Sequence, residues 1–145
     1  MSAEFFLDTN ILVYTFDPHR AEKRTRAREL VESALQNDAG VITYQVVQEF
    51  LNVCTRKFAV PMTPDDVRDY LKIVLEPLCM VFPSMALYER AIALHERWRY
   101  GFHDSLTIGS ALEAPCSLLY SEDLHDRQKV ESLTIVHPFV AGGPT

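Results

Sequence analysis

Short apolar runs alternate along this chain with longer stretches in which apolar residues recur every three or four positions. Glu4 to Asp8 is brief, apolar and followed by polar Thr9-Asn10, the pattern of a buried strand. Ile11 to Phe16 begins a helix that Pro18 breaks or bends. Ala21 to Asn37 carries Ala27, Leu30, Val31, Ala34 and Leu35 at helical spacing. Gly40 punctuates, and Val41-Ile42-Thr43 reads as a second strand. From Tyr44 to Phe58 a helix places Val46, Val47, Phe50, Val53 and Cys54 on one stripe, with Glu49 beside it rather than on the opposite face. Thr63-Pro64-Asp65-Asp66 is a helix start, with a capping hydroxyl, proline in the first turn and acids at the positive end of the dipole. That helix ends near Glu76-Pro77. Cys79 to Phe82 is a strand, and Ser84 caps a helix to about Arg99 with Ala86, Leu87, Ala91, Leu94 and Trp98 inward. Asp104 to Glu113 is a further helix, and Ser117 to Ser121 and Thr134 to Val136 complete the strands.

Strands separated by helices imply parallel crossovers. The predicted fold is therefore a three-layer α/β domain: a five-stranded parallel sheet flanked by helices. In such sheets the ligand crevice lies beyond the carboxyl ends of the strands. Asp8 and Asp123 both follow strands, so they fall on the same sheet edge although far apart in sequence. Glu49 and Asp104, on or opening helices, are within reach of that edge. A carboxylate beside buried positions is costly unless its charge is compensated. Four such acids suggest one shared compensator, a divalent cation.

Mg²⁺ and Mn²⁺ take oxygen ligands, and Mg²⁺ keeps several waters, so four acids suffice for one ion or two. Without metal, the packed like charges raise at least one carboxyl pKa. Thr9, Asn10, Ser105 and Ser121 lie within two residues of an acid, placed to orient carboxylates and waters. Each acid also has a local alternative. Asp8 and Asp104 serve as helix caps, Glu49 pairs with Arg56 or Lys57, and Asp123 is a turn residue. His103 is a candidate base or a packing residue, and Asp126 an auxiliary ligand beside His125.

The length of 145 residues and an apolar fraction of 48% fit one globular domain, placed at residues 1–140, with 141–145 as a short flexible tail. The net charge of −6 argues against binding nucleic acid through overall charge. A local basic segment nonetheless holds Arg20, Lys23, Arg24, Arg26 and Arg28, read either as a solvated face with internal ion pairs or as a phosphate-contacting face. Cys54, Cys79 and Cys116 lack metal-ligand spacing and read as reduced core residues of a cytoplasmic protein. The first residues lack the basic region of a signal peptide, and no apolar stretch approaches membrane-spanning length.

In order and spacing, these motifs resemble a PIN-domain protein, and more narrowly a toxin of the VapC type. Phe6-Leu7-Asp8-Thr9-Asn10-Ile11-Leu12-Val13-Tyr14 is similar to the family's opening motif. Gln48-Glu49-Phe50-Leu51-Asn52-Val53 with Arg56-Lys57 is similar to the second, Asp104-Ser105-Leu106-Thr107-Ile108 with Ala111 to the third, and Leu119-Tyr120-Ser121-Glu122-Asp123-Leu124 to the fourth. Leu133 to Phe139 resembles the last strand. The resemblance implies a Mg²⁺- or Mn²⁺-dependent ribonuclease acting on RNA, with Asp8, Glu49, Asp104 and Asp123 catalytic and metal-ligating and Asn10 and Ser121 supporting. It further implies a homodimer and a cognate antitoxin. His103 stands where many relatives carry a large aromatic, and His137 where Asn is common.

Two rival functions remain. A phosphatase using Asp8 as nucleophile usually has a second Asp two residues on, where this chain has Asn10. A non-catalytic PIN-like module binding RNA or protein, with a structural metal, would retain the acids without turnover.

Overall fold

The computed structural model describes residues 4–58 and 60–139; the expected tail at 141–145 lies outside the described residues. Strands β1 (Phe5–Leu7), β2 (Gly40–Thr43), β3 (Cys79–Val81), β4 (Leu118–Tyr120), β5 (Lys129–Val130) and β6 (Leu133–Val136) form one sheet in the order β3-β2-β1-β4-β6-β5. All neighbours are parallel except β5 and β6, which are antiparallel. The sheet thus has six strands where five were expected. The extra one, β5, is a two-residue strand joined to β6 through Glu131-Ser132. Tight hairpins favour Asn-Gly or similar pairs because they need positive φ. Here Glu131 adopts φ 55° without that signature, so nothing in the local sequence announced the turn.

The helices are α1 (Thr9–Tyr14), α2 (Ala21–Gln36), α3 (Tyr44–Arg56), α4 (Pro64–Tyr70), α5 (Glu76–Leu78), α6 (Met85–Trp98) and α7 (Phe102–Glu113). With right-handed crossovers, the strand order puts α1–α5 on one face of the sheet and α6–α7 on the other. Strands covered on both sides should read as continuous apolar runs. They do: Phe6, Leu7, Ile42, Leu119 and Ile135 have no exposed surface. α2 turns Ala27, Leu30, Val31 and Ala34 inward, and α3 turns Val46, Phe50 and Cys54 inward. α6 buries Leu87, Ala91 and Leu94, but Ala86, expected inward, is exposed.

The helix expected from Pro64 to Pro77 is interrupted by a π-helical turn at Leu71–Leu75. Pro77 offers no N–H, and its ring would crowd the carbonyl four residues back, so a wider turn before it is the accommodating geometry. Gly40 opens β2 where α2 comes closest. A Cβ there would fall far inside contact distance of the Ala34 Cβ and 3.0 Å from the Phe5 ring. No described helix is long and apolar enough to cross a membrane.

Candidate active site

The chain order places β2 on one side of β1 and β4 on the other, so the connections leaving β1 and β4 diverge. Such a switch point opens a crevice at the carboxyl edge. Leu7 pairs with Tyr120 at the ends of these strands, and the Asp8 N–H donates to the Tyr120 carbonyl at 3.2 Å. Asp8 and Ser121 therefore emerge side by side although 113 residues apart.

Asp8 is the N-cap of α1. Its Oδ1 accepts the Thr9 N–H at 2.8 Å, and its Oδ2 accepts the fully buried Ser121 hydroxyl at 3.0 Å. The local cap reading of Asp8 therefore holds, and its second oxygen is held by Ser121. Thr9 also reaches the next acid, since its hydroxyl donates to Glu49 Oε1 at 3.0 Å. Glu49 stands in the second turn of α3, which starts directly from β2 with Thr43 as its cap. Its other oxygen, Oε2, lies 3.6 Å from His103 Nε2, and His103 Nδ1 meets the Gln45 amide nitrogen at 2.9 Å. The amide N–H donates there, so the neutral ring carries its proton on Nε2, facing Glu49. The Asn10 amide donates to Asp123 Oδ2 at 2.9 Å. Thr9 thereby links Asp8 to Glu49 through hydrogen bonds, and Asn10, the next residue along the chain, holds Asp123 beside them.

The electrostatics follow from this crowding. Burial pushes the Asp8 carboxyl above its ordinary range. The Thr9 N–H and the Ser121 hydroxyl oppose that rise, while the charges of Glu49 and Asp123 add to it. Asp104 is half-buried in the first turn of α7, whose N-cap is Gly101 rather than Asp104 itself. Among the described residues its carboxylate accepts no hydrogen bond. Burial, and then the Asp104 charge, raise the nearby Tyr100 phenol. The structure groups Asp8, Glu49 and Asp123, and sets Asp104 next in sequence to His103, whose ring lies 3.6 Å from Glu49.

Among the described residues, no three His, Cys, Asp or Glu side chains converge closely enough to ligate one ion as they stand. The donor set is still all oxygen and mutually repelling, with Asp8, Glu49 and Asp104 half-buried and Asp123 exposed, which suits a hard divalent cation that keeps several waters. Asp126, the auxiliary candidate, instead accepts the His137 N–H at 2.7 Å.

A polar cluster not apparent in the sequence braces the turn after β4. Glu122 accepts from Tyr14 at 2.7 Å and from Lys23 at 2.6 Å, and Lys23 lies over the Tyr14 and Phe139 rings. Burial pushes Glu122 up, but the bonds and charge of Lys23 and Tyr14 outweigh it and hold the carboxyl below its usual value. The bond to Glu122 likewise raises Lys23. The rest of the basic segment also finds acceptors within the fold. Arg20 pairs with Asp17, while Arg24, Arg26 and Arg28 donate to the carbonyls of Asp17, Pro138 and Thr15. His103 was a candidate from the sequence, but Gln45 was missed, although it lies one helical turn before Glu49 on α3; their contact across the crevice left no sequence signal.

A family model described as PIN domain matches residues 5–129. Among solved structures, the chain is similar to a toxin–antitoxin complex from Klebsiella pneumoniae, at 18% identity over 93% of this chain and 98% of that one, with a TM-score of 0.66. It is similar to Mycobacterium tuberculosis VapC20, a sarcin–ricin loop cleaving toxin, at 18% identity over 83% and 90%, TM-score 0.61. It also resembles VapBC2 from Rickettsia felis bound to a fragment of promoter DNA, at 18% identity over 90% and 96%, TM-score 0.59. At these identities the likeness is one of fold. No curated protein matches the chain.

Proposed function

The chain belongs to the PIN-domain family, and on that premise we propose that it is a metal-dependent endoribonuclease of the VapC type, the toxin of a toxin–antitoxin pair. The observation that carries this reading is the gathering of Asp8, Glu49 and Asp123 at the switch point of the sheet, where the consecutive residues Thr9 and Asn10 hold Glu49 and Asp123 and both charges act on Asp8. These acids, with Asp104, would hold Mg²⁺ or Mn²⁺ largely through water. A bound ion supplies a water of lowered pKa and neutralises charge on the phosphodiester.

The chain's own residues have separable tasks. Ser121 and the Thr9 N–H favour the ionised form of Asp8 against burial. The Thr9 hydroxyl fixes one Glu49 oxygen while His103 faces the other. Asn10 orients Asp123, and the Tyr14–Lys23–Glu122 cluster anchors the turn that carries it. The net charge of −6 gives RNA no overall attraction, so neutralisation of the acidic edge by a bound ion is what would let a phosphodiester approach it.

The test compares cleavage of transfer, ribosomal and messenger RNA with Mg²⁺ or Mn²⁺, with chelator, and by Asp8→Asn. Cleavage is expected only from the wild type with metal; equal cleavage in all three conditions refutes the mechanism. The partner proposal, a cognate antitoxin and a homodimeric toxin, draws on the toxin–antitoxin assemblies among the similar structures. Co-expression with the product of the neighbouring reading frame should yield a complex in which cleavage is suppressed. Separate purification with full activity would remove the antitoxin and leave the nuclease.

A further inference from the structure

We infer that Tyr100 and Gln128 are a positioning pair: their hydrogen bond ties the connector between α6 and α7 to the sheet and so fixes where Asp104 stands relative to Asp123. The inference rests on the metal-site reading above. Asp104 is the acid that the site itself does not hold. Asp8 is bonded by Thr9 and Ser121, Glu49 by Thr9, and Asp123 by Asn10, whereas the Asp104 carboxylate accepts no hydrogen bond among the described residues. Its helix also lacks a side-chain cap, since the N-cap is Gly101. The placement of Asp104 therefore depends on Arg99, Tyr100 and Gly101, the residues that join the two helices. Arg99 ends α6 at φ 66°, its N–H donating to the His95 carbonyl at 3.0 Å. The Tyr100 carbonyl meets the His95 ring at Nδ1 and accepts the buried Ser105 hydroxyl at 3.5 Å. The end of α6 and the start of α7 thus close on one carbonyl.

The Tyr100 phenol reaches beyond these helices and donates to Gln128 Oε1. Gln128 is itself fixed to the sheet. Its carbonyl accepts the Ile135 N–H at 2.9 Å, and the neighbouring Arg127 N–H donates to the Ile135 carbonyl at 2.8 Å. Ile135 lies in β6 and is fully buried. The phenol therefore links the start of α7 to β6. Gln128 also closes the turn after Asp123, its N–H donating to the His125 carbonyl at 3.3 Å. One hydrogen bond thus joins the segments that bear the two acids. Burial, and then the charge of Asp104, raise the phenol, which keeps its proton and donates at neutral pH. Packing alone does not call for a hydroxyl here. Tyr100 is half-buried, and phenylalanine would fill the same space while leaving the half-buried Gln128 amide without its donor.

Mn²⁺ binding to the full chain, read from the electron paramagnetic resonance of the free ion, tests the pair without relying on cleavage. Tyr100→Phe and Gln128→Leu should each weaken binding about tenfold, the low end of what loss of a residue orienting a metal ligand costs. The double variant should bind no more weakly than either, because both changes delete one bond. In an Asp104→Asn background Tyr100→Phe should cost nothing further, since the tie acts through the Asp104 carboxylate. A purely structural effect would persist there. Wild-type affinity in either single variant, additive losses in the double variant, a Tyr100→Phe loss undiminished by Asp104→Asn, or no Mn²⁺ binding by the wild type would overturn the inference. RNA cleavage, measured alongside, separates the two readings. Cleavage by the wild type with unchanged Mn²⁺ binding in the variants removes the tie and leaves the nuclease. Coupled binding losses without any cleavage do the reverse.

Discussion

Thr9→Val tests the site without removing an acid. Thr9 is buried, its N–H caps Asp8, and its hydroxyl donates to Glu49 at 3.0 Å. Valine keeps the shape and the backbone bond and deletes only the hydroxyl. A hydrogen bond to a charged group contributes about 1.5–3 kcal/mol. The Glu49 side chain is 38% exposed, so water replaces part of that bond. The expected loss is therefore near the low end, about 1 kcal/mol, or ~3 °C in melting temperature for a domain of this size. The effect on chemistry should be larger than the effect on stability. Loss of a residue that orients a metal-ligating carboxylate typically costs ~10- to 100-fold in metal affinity or activity. RNA cleavage measured across a Mg²⁺ titration should show a lower plateau and a higher half-saturating concentration. Thr9→Ser should recover most of both. Wild-type cleavage and metal dependence in Thr9→Val would show that the tether does not serve the reaction. Equal impairment of Thr9→Ser, which keeps the hydroxyl, would show that the loss does not come from this hydrogen bond.

Asp8→Asn should abolish cleavage yet raise the melting temperature in chelator at neutral pH. The fold holds the Asp8 carboxyl above its unfolded value, so it binds that proton more tightly, and stability falls as pH rises from the unfolded value through the folded one. The gain from Asn should shrink in acid, and a lower melting temperature at pH 7 would contradict the cause given. Glu122→Gln should cost about 1 kcal/mol in urea unfolding at neutral pH, because it breaks a partly buried pair with Lys23. Glu122 is held below its unfolded value, so its contribution is complete above about pH 4.3 and fades as pH falls through the folded value. A difference from wild type that persists in strong acid would refute the pairing as its source. Gly40→Ala should destabilise by about 1–3 kcal/mol, since its methyl meets Ala34 and Phe5. Unchanged unfolding would mean that α2 yields more easily than this packing implies.

The sheet was legible because its strands carry a strong local signal. Phe5-Phe6-Leu7 and Leu118-Leu119-Tyr120 are apolar runs stopped by polar residues, and the rule of parallel crossovers does the rest. That signal also placed Asp8 at an edge. The hydrogen bonds that define the site were not legible. Ser121 to Asp8 and Asn10 to Asp123 each join residues 113 apart, and register between β1 and β4 leaves no trace in either segment alone. β5 escaped because two residues have no periodicity. The start of α7 was placed late, since Gly101 caps it and Phe102 supplies no polar cap signal. The basic segment of α2 left a phosphate-contacting face open as an alternative to internal ion pairing, because its acceptors on Asp17, Glu122 and backbone carbonyls come from elsewhere in the chain.

The pairing of the first strand with the fourth sets when during synthesis the acidic edge comes into being. Asp8 leaves the ribosome early, but the strand that aligns it and the hydroxyl that holds it are not translated until Ser121, and the Ser121 N–H is itself held by the Val136 carbonyl. A nascent chain of a hundred residues carries Asp8 and Glu49 without the partners that assemble them. On the proposed reading, no nuclease site exists until the chain has been translated through Ser121 and Val136.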